Sequence, residues 1–432
     1  MVPLFAKMMD CLTEDISEDP GLGIFLGPTR IPALLYVDDA APLAEGYPQQ
    51  ENTLRCVDEF GTKHKLEFQE TKCKVMEIGN HKEKRTKWKM GQKEITNCES
   101  YTYLGETLMR NGKNTKNLDK RINKVKAAVR AVASFAKGPL LRGGQMKVLI
   151  MLHEAVNIPT LLYCAETWTL SKGEFDELDR LELWSWKKMI GLPKTTPNAA
   201  VMYVTGAMYP SIRIQMGMLL YLHKLLNKGP EIWSRIVLEK LDSLNIGWAK
   251  QVRSILSKWS LPCEWESIRS RTTKDWTKTV RAAAEVVNRA RIREECIARS
   301  RGETSIKTKT KKILDKLDDP NYKREPEKFT LASNTLAVRA MIMGRYGMLQ
   351  CAANFKGTYG SKNCRTCNVV DDETHRMNVC PLWGVTNWST KAEKADFSKI
   401  HSEVPAECME GVKNILKMWQ LARGKNTMSE QV

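Results

Sequence analysis

The chain has 432 residues, and its 68 Lys and Arg outnumber its 50 Asp and Glu, which gives a formal net charge of +18. That length suits two or three domains of roughly 100–200 residues each, and the charge favours a polyanionic partner such as nucleic acid. The sequence contains no signal peptide and no apolar run of about 18 residues, so we expect no membrane partner and a nuclear or cytoplasmic location. Twelve thinly spread cysteines are typical of a reducing compartment and favour metal binding over disulfides.

Residues 1–110 are interpreted as strand-rich, because short apolar runs alternate there with turn signals. The turn signals are Pro20-Gly21, Gly27-Pro28 and Gly46. The runs at 21–26, 32–37, 75–78 and 101–105 predict short strands.

The segment 31–46 contains two apolar runs that flank Asp38 and Asp39. Aspartate is a poor strand former, so the pattern predicts strand, tight turn and strand, with the two acids at the tip. Two interpretations of the acids stay open at this point. They serve only as turn residues, or their carboxylates hold Mg²⁺, a hard cation that prefers oxygen ligands.

From Asn117 the apolar period changes from that of a strand to that of a helix, and Asp119 is nearly the only acid in the segment. The apolar face consists of Leu118, Ile122, Val125, Val129 and Val132. The basic residues around it are Lys120, Arg121, Lys124, Lys126 and Arg130. The basic surface is either a solvated helix face or a surface that contacts phosphates.

Residues 145–300 are mostly helical by pattern, with the strongest segments at 145–157, 174–190, 211–227 and 276–300. Trp168, Trp184 and Trp186 fall in or beside these helices, and we expect them to pack. Residues 301–328 predict a charged linker and a candidate localisation or nucleic-acid patch. The lysines of that patch are Lys307, Lys309, Lys311 and Lys312.

One closely spaced group of metal-ligand side chains stands near the C-terminus, in the pattern C-x2-C-x7-H-x4-C. Its members are Cys364, Cys367, His375 and Cys380. Three thiolates and one imidazole complete a tetrahedral Zn²⁺ site with no open position, which is typical of a structural site. Coincidence among twelve cysteines is the alternative. Acidic residues at 371–373 argue against phosphate contact, so we expect a folding staple.

Together these residues resemble the reverse transcriptases of non-LTR retrotransposons. Leu34–Asp39 followed by Leu43-Ala44 resembles the Tyr-x-Asp-Asp hairpin of that family. Further segments follow in the order of the family's blocks, and this ordered set is more specific than the hairpin alone. Residues 3–10 resemble the end of the family's preceding block, and residues 71–76 contain a lysine where the family places one near the incoming nucleotide. Residues 103–105 resemble the primer grip, and residues 161–168 and the cysteine-histidine group resemble segments that follow the polymerase.

The resemblance implies an RNA-directed DNA polymerase in which two metal ions ~3.5–4 Å apart act on the primer end and the leaving pyrophosphate. Asp38 and Asp39 would be the Mg²⁺ ligands, and Tyr36 would sit against the primer end. Lys72 would lie beside the triphosphate as a charge stabiliser or proton donor. The implied contacts to RNA template and DNA primer also include Tyr103, Leu104, Gly105, Lys120, Arg121 and Lys124.

The resemblance also implies an α+β fold with a partial polymerase palm, built on an antiparallel sheet, before a mainly helical thumb and extension. The expected domains are the palm at 1–110, thumb helices at 111–200 and a helical extension with a basic linker at 201–355. A small zinc knuckle at 356–385 and a helical tail at 386–432 complete the chain.

Two features depart from the family. Its metal site needs a further Asp from an earlier palm strand, and Asp10 does not match that strand because its neighbours resemble the helix after the template loop. Pro42 stands where the family usually has an aliphatic residue, and we expect it to weaken the second hairpin strand, because proline removes a ladder donor.

We therefore expect a truncated reverse transcriptase with little or no activity alone, which binds dNTP only when the missing palm is supplied. A non-enzymatic nucleic-acid-binding protein that uses the basic thumb helix and the linker is the alternative. A helical scaffold with an incidental net charge is a third.

Overall fold

The structure is a computed structural model that describes residues 2–79, 86–135, 145–300 and 313–326, with 338, 339, 342, 363, 364, 367–370 and 375 as further positions. Over this part of the chain the fold is α+β, as predicted. The predicted helical tail at 386–432, Cys380 and the linker lysines at 307–312 lie outside the described residues.

Short hairpins make up most of the β-structure. Four antiparallel pairs, β1–β2, β3–β4, β6–β7 and β8–β9, are each closed by a two-residue turn whose first residue has a positive φ. Turns of this kind match the twist of the flanking strands. The strands are β1 Ile24–Leu26, β2 Thr29–Ile31, β3 Ala33–Tyr36, β4 Asp39–Pro42, β5 Lys74–Val75, β6 Lys87–Met90, β7 Lys93–Asn97, β8 Ser100–Tyr103 and β9 Glu106–Met109.

The described strands do not join into the single antiparallel sheet that was expected for a palm. They form three separate two-stranded sheets and one three-stranded sheet in the order β5-β7-β6. In that larger sheet β5 pairs with β7 in parallel. The prediction of short strands is therefore confirmed, and the single sheet is not.

Two helices lie in the region 1–110 that was interpreted as strand-rich: α1 Val2–Glu18 and α2 Tyr47–His64. The resemblance implied a helix around Asp10, which agrees with α1, whereas α2 was missed. The sequence does carry a signal for α2, since Pro48 lies in its first turn, where proline fits a helix start. Leu54, Val57 and Phe60 of α2 are buried at helical spacing.

These two helices cover the first hydrophobic core. Asp15 of α1 and Lys63 of α2 form an ion pair at 3.3 Å on its surface. Arg30 donates to the carbonyl oxygens of Ser17, at 2.5 Å, and Asp19, at 2.7 Å, and so satisfies acceptors at the end of α1. The core contains Met9, Leu12, Ile16, Leu22, Ala33, Leu54, Val57, Phe60, Val75, Trp88, Met90 and Ile95.

The rest of the described chain is helical, and all four strong helical predictions are confirmed. A π-helix at His153–Asn157 joins α4 to α5 without a break, and a 3-10 turn covers Ala165–Thr167. The α-helices are α3 Thr115–Phe135, α4 Gln145–Leu152, α5 Ile158–Leu162, α6 Lys172–Ile190, α7 Asn198–Thr205, α8 Pro210–Leu226, α9 Trp233–Ser243, α10 Gly247–Lys258, α11 Trp265–Arg269 and α12 Thr273–Ser300.

A second hydrophobic core contains described residues from α3 to position 342, on both sides of the predicted boundary at residue 200. The predicted face of α3 is confirmed, since Leu118, Ile122, Val125 and Val129 are buried and Val132 packs against the same core. Trp168 and Trp186 are buried and Trp184 is partly buried, as expected. The boundaries of thumb and extension stay a prediction.

Asp179 ties three helices of this core together. Its carboxylate is 2 % exposed and accepts from the backbone N–H of Ser211 at 3.0 Å and from the Ser211 hydroxyl at 2.7 Å. Arg291 of α12 donates to the same carboxylate. Burial raises the pKa of Asp179, against the effect of Arg291 and Ser211. The contact anchors the start of α8 to α6 and α12.

Within the described residues, one 22-residue helical stretch, Met146–Thr167, is long and apolar enough to cross a membrane by length and composition. A single such stretch is weak support for a membrane helix, because core helices pass the same test. Here Leu149, Leu161 and Ala165 lie in the second core. The choice between a nuclear and a cytoplasmic location stays a prediction.

Candidate functional site

Tyr36, Asp38 and Asp39 lie at the tip of the β3–β4 hairpin, as the sequence predicted. Tyr36 pairs with Asp39 across a two-residue turn made by Val37 and Asp38. The side chains of Tyr36, Asp38 and Asp39 are exposed. Val37 has a φ of 54°, a conformation that β-branched residues rarely adopt. Strain of this kind costs about 1–3 kcal/mol and is concentrated at functional sites.

The expectation that Pro42 weakens the hairpin was wrong. Pro42 pairs with Ala33, and the N–H of Leu43 donates to the carbonyl of Pro32 at 2.9 Å one position further on. In an antiparallel ladder hydrogen-bonded pairs alternate with non-hydrogen-bonded ones. The Pro42–Ala33 pair is therefore non-hydrogen-bonded. A backbone N–H at position 42 would not bond to β3, so the proline costs this hairpin no hydrogen bond.

Two tyrosines of β8 lie against this hairpin and the turn that holds Lys72. The hydroxyl of Tyr103 donates to the carbonyl of Leu34 at 3.3 Å, and that of Tyr101 donates to the carbonyl of Lys72 at 3.3 Å. Burial raises the pKa of both phenols, and the negative charge of Asp39 raises it further. Both hydroxyls are therefore neutral donors at pH 7. The Tyr-x-Asp-Asp segment, the lysine turn and the predicted primer grip meet here.

The predicted Mg²⁺ site has only two candidate ligands among the described residues, Asp38 and Asp39. Across the described residues, no third acidic, histidine or cysteine side chain lies close enough to share one ion with Asp38 and Asp39. The Lys72 side chain is exposed, and within the described part of the chain it forms no ion pair with Asp38 or Asp39. Mg²⁺ binding and the role of Lys72 stay predictions.

The predicted primer-grip residues Leu104 and Gly105 form the turn of the β8–β9 hairpin, which is fixed to the helical part. Both have positive φ, 49° and 81°, as in a type I′ turn. The hydroxyl of Tyr163 donates to the Leu104 carbonyl at 3.0 Å, and Arg121 donates to the Gly105 carbonyl at 3.1 Å. The guanidinium of Arg121 lies 4.6 Å from the centre of the Tyr163 ring.

Glu106, the first residue of β9, holds this turn in place. Its carboxylate accepts from Arg121 at 2.9 Å and from the indole N–H of Trp168 at 3.3 Å. Asn117 donates to the same carboxylate. A single acid therefore joins the hairpin to α3 and to the segment that follows α5.

Four of the basic residues of α3 fall into two groups. Lys116, Lys120 and Lys124 are exposed and follow one another at a spacing of four along one stripe of the helix. Lys120 also donates to the hydroxyls of Thr107 at 2.7 Å and Thr102 at 3.3 Å. Arg121 is only 8 % exposed and is occupied by Glu106 and Gly105. The exposed lysines can meet phosphates, whereas Arg121 serves the interior.

The second group of site residues is a metal-ligand cluster. The donor atoms of Cys364, Cys367 and His375 all lie within 4.8 Å of one another, so the three side chains can hold one metal ion. Cys364 and His375 are buried. A tight loop positions the pair, since the N–H of Asn368 donates to the Cys364 carbonyl at 2.9 Å and the N–H of Cys364 donates to the Val369 carbonyl at 2.8 Å. Thiolate and imidazole donors suit zinc.

Sequence reasoning missed Glu106 and Tyr163 as residues that position the site. Both act across the chain, with Glu106 bonded 15 residues away and Tyr163 bonded 59 residues away. The local pattern of apolar residues does not reveal contacts between residues so far apart in the sequence. The cysteines outside the closely spaced group, such as Cys73, Cys164 and Cys296, were expected to be buried thiols. Cys296 is buried, whereas Cys73 and Cys164 are only half-buried.

No protein-family model and no curated protein matches this sequence. The resemblance to reverse transcriptases therefore depends on the motifs, and the activity it implies is a proposal.

Proposed function

We propose that this chain is the C-terminal part of a non-LTR retrotransposon reverse transcriptase, a partial palm with its thumb and helical extension. It binds an RNA template with a DNA primer and has little or no polymerase activity alone. The observation that carries the proposal is the hydrogen bond between Tyr103 and the Leu34 carbonyl. It unites the Tyr-x-Asp-Asp hairpin with the hairpin that resembles the primer grip.

Three further observations support this proposal. The β8–β9 hairpin continues to α3 through the contacts of Lys120 with Thr102 and Thr107, so the exposed lysines extend the same surface. The exposed ring of Tyr36 stands at the hairpin tip, where a base or sugar of the primer end can pack. The positive φ of Val37 is a strained conformation, and such strain is concentrated at functional sites.

Two acids without a third can bind Mg²⁺ weakly through oxygen ligands. In the proposed enzyme the ions would supply charge stabilisation and activate the primer hydroxyl. The residues of this chain would contribute Asp38 and Asp39 as ligands and Lys72 as a cation near the triphosphate. The alternative function is a nucleic-acid-binding protein without catalysis. It uses the same α3 lysines but does not extend the primer.

Nucleic-acid binding is tested by the triple variant Lys116→Gln, Lys120→Gln, Lys124→Gln. We expect it to bind a labelled RNA–DNA hybrid more weakly and to flatten the slope of log affinity against log salt by about 2–3, because each phosphate that a lysine neutralises contributes about one unit to that slope. The matched control is Lys240→Gln, Lys250→Gln, Lys258→Gln, an equal loss of charge on the exposed surface of α9 and α10. Equal slopes for both triple variants would refute the α3 surface.

Primer extension by the purified chain tests the expected lack of polymerase activity. With primed RNA, dNTPs and Mg²⁺, we expect the whole chain to extend the primer no faster than its Asp38→Asn variant. Extension that depends on Asp38 would show an active polymerase and contradict the expected inactivity. Hybrid binding without extension, retained by the Asp38 variant, agrees with both the truncated polymerase and the alternative. Recovery of extension on addition of the missing palm separates them.

We further propose that the cysteine-histidine cluster binds Zn²⁺ as a closed structural site, with Cys380 as the fourth ligand. Support comes from the three donor atoms that lie within 4.8 Å of one another and from the thiolate-imidazole chemistry. The Zn²⁺ would cross-link the loop of Cys364 and Cys367 to the segment of His375, which makes its role one of folding.

Metal analysis tests this site. We expect about one Zn²⁺ per wild-type chain and its loss in both Cys364→Ser and Cys380→Ser, because the removal of one ligand from a closed tetrahedral site weakens binding severely. The control variant Cys56→Ser changes a half-buried thiol outside the cluster and should keep the metal. Full zinc content in Cys380→Ser would exclude that residue as the fourth ligand.

A further inference from the structure

A cavity of about 740 Å³ separates the first two hairpins from the helices α8 to α10. Four aliphatic side chains of the hairpins form one wall: Ile24, Ile31, Leu34 and Leu43. Asp38, Asp39, Lys72 and the lysines of α3 are not among the residues that line it. Its volume lies within the roughly 300–1,000 Å³ range of pockets that enclose a drug-sized ligand.

The opposite wall is aromatic and aliphatic. Tyr221 and Trp248 meet edge to face with ring centres 5.9 Å apart, and Trp233 stands beside them in the lining. The indole N–H of Trp248 is already used, since it donates to the Glu166 carbonyl at 2.8 Å. The wall therefore offers mainly ring faces and edges, which suit a planar apolar group.

Three apolar side chains of this cavity are exposed, although others that line it, such as Leu238, belong to the second core. Leu34 is 42 % exposed, Ile232 is 41 % exposed and Val237 is 38 % exposed. Apolar side chains grouped around one cavity mark a surface that gains free energy when a ligand covers it.

One charged side chain lines the cavity, that of Glu231, and it is exposed at the rim. Across the described residues Glu231 forms no ion pair. The neighbouring cation, Lys228, donates to the Ser234 hydroxyl at 2.9 Å instead. Lys228 is not among the residues that line the cavity, whereas Glu231 is, so the charge that the lining presents is negative and favours a cation over an anion.

We propose that this cavity binds a planar apolar molecule that carries one amine cation. Its ring lies between the aliphatic wall of the hairpins and the rings of Tyr221, Trp233 and Trp248, and its ammonium group meets Glu231. Because Leu34 belongs to both the cavity wall and the contact with Tyr103, a bound ligand would brace the hairpin that carries Asp38 and Asp39.

Equilibrium dialysis of the whole chain at pH 7 tests this site with two probes of equal ring and opposite charge, 1-naphthylmethylamine and 1-naphthaleneacetate. We expect saturable binding of the amine, about two- to fivefold tighter than the acetate, the range of an exposed ion pair. Glu231→Gln should abolish that preference while it retains binding of the ring.

A filling variant locates the binding. Val237→Trp places a large side chain into the cavity from a partly exposed position that tolerates size, and it should remove binding of both probes. Val286→Trp is the matched control, because Val286 is 66 % exposed on α12 and does not line the cavity. Binding that survives in Val237→Trp, no saturable binding by the wild type, or tighter binding of the acetate would each overturn the proposal.

Discussion

The replacement of Glu106 by alanine is expected to lower the free energy of unfolding by about 3 kcal/mol, the scale for breaking a buried ion pair by removing one partner. The reason is the guanidinium of Arg121, whose side chain is 9 % exposed and which lies 2.9 Å from Glu106. Without the carboxylate its charge stays buried, and the indole N–H of Trp168 loses its acceptor. Chemical denaturation of the variant measures the effect.

Glu99→Ala is the matched control, since Glu99 lies at the other end of the same hairpin. It pairs with Arg110 at 3.3 Å, but its side chain is 73 % exposed, so its removal should cost less than about 1 kcal/mol. A double-mutant cycle of Glu106→Ala with Arg121→Ala should show strong non-additivity, because the second change removes the buried charge that the first leaves unpaired. Additive effects would show that the two side chains do not act as a pair.

The β3–β4 hairpin illustrates what a sequence can reveal. Two apolar runs around Asp38 and Asp39 predict two strands and a turn between them, because aspartate favours turns over strands. The turn itself consists of Val37 and Asp38, and Asp39 begins β4. The phase of the strand is also readable, because Ala33 is buried and Leu34 exposed in simple alternation. What the pattern does not state is that Pro42 falls at a non-hydrogen-bonded position, which depends on the register.

The burial of Arg121 could have been predicted from its position in the helical pattern. It lies three residues after Leu118 and four before Val125, so helical spacing places it on the buried face, whereas Lys120 and Lys124 lie outside that face. The basic charge of the helix left open a solvated face or phosphate contact, and the resemblance implied that all three residues contact nucleic acid. Amphipathic phase would have separated the two lysines from Arg121, although it would not have named Glu106 as the partner.

The buried contacts that hold the helices together were beyond sequence reasoning for a different reason. Asp179 meets Arg291 across 112 residues, and His153 meets Glu182 across 29. Such pairs follow from how helices pack, not from local pattern. A π-helix at His153–Asn157 is likewise a feature of the folded context, since nothing in the apolar period of that segment departs from an ordinary helix.

Glu182 is the second site of a large expected effect, because its carboxylate is 2 % exposed in the second core. His153 meets its two oxygens at 2.9 and 3.0 Å, and the indole N–H of Trp186 donates at 2.8 Å. Asn157 bonds the other ring nitrogen of His153 at 3.1 Å. The carboxylate therefore has partners on both oxygens.

The surroundings of Glu182 act on its pKa in opposite directions. Burial works to raise the pKa, while the charge of His153, the bonds from His153 and Trp186 and the charge of Arg213 lower it, and the pKa ends below its usual value. Arg213 is itself paired with Glu154 at 2.6 Å. A lowered folded pKa means that the charged carboxylate stabilises the fold at every pH above the unfolded pKa of about 4.3.

Glu182→Gln is thus expected to cost about 3 kcal/mol at pH 7, because it leaves His153 in the core without its charged partner. As the pH falls below about 4.3 towards the folded pKa, wild type loses the contribution of the charged form, so the difference between the two proteins should shrink. Denaturation curves from pH 7 down to acid conditions measure this, with Glu266→Gln as a control, since that side chain is 83 % exposed and should show a small difference at every pH. A difference for Glu182→Gln that stays constant into acid would mean that its charge adds nothing to the stability of the helical core, and that the network acts through packing alone.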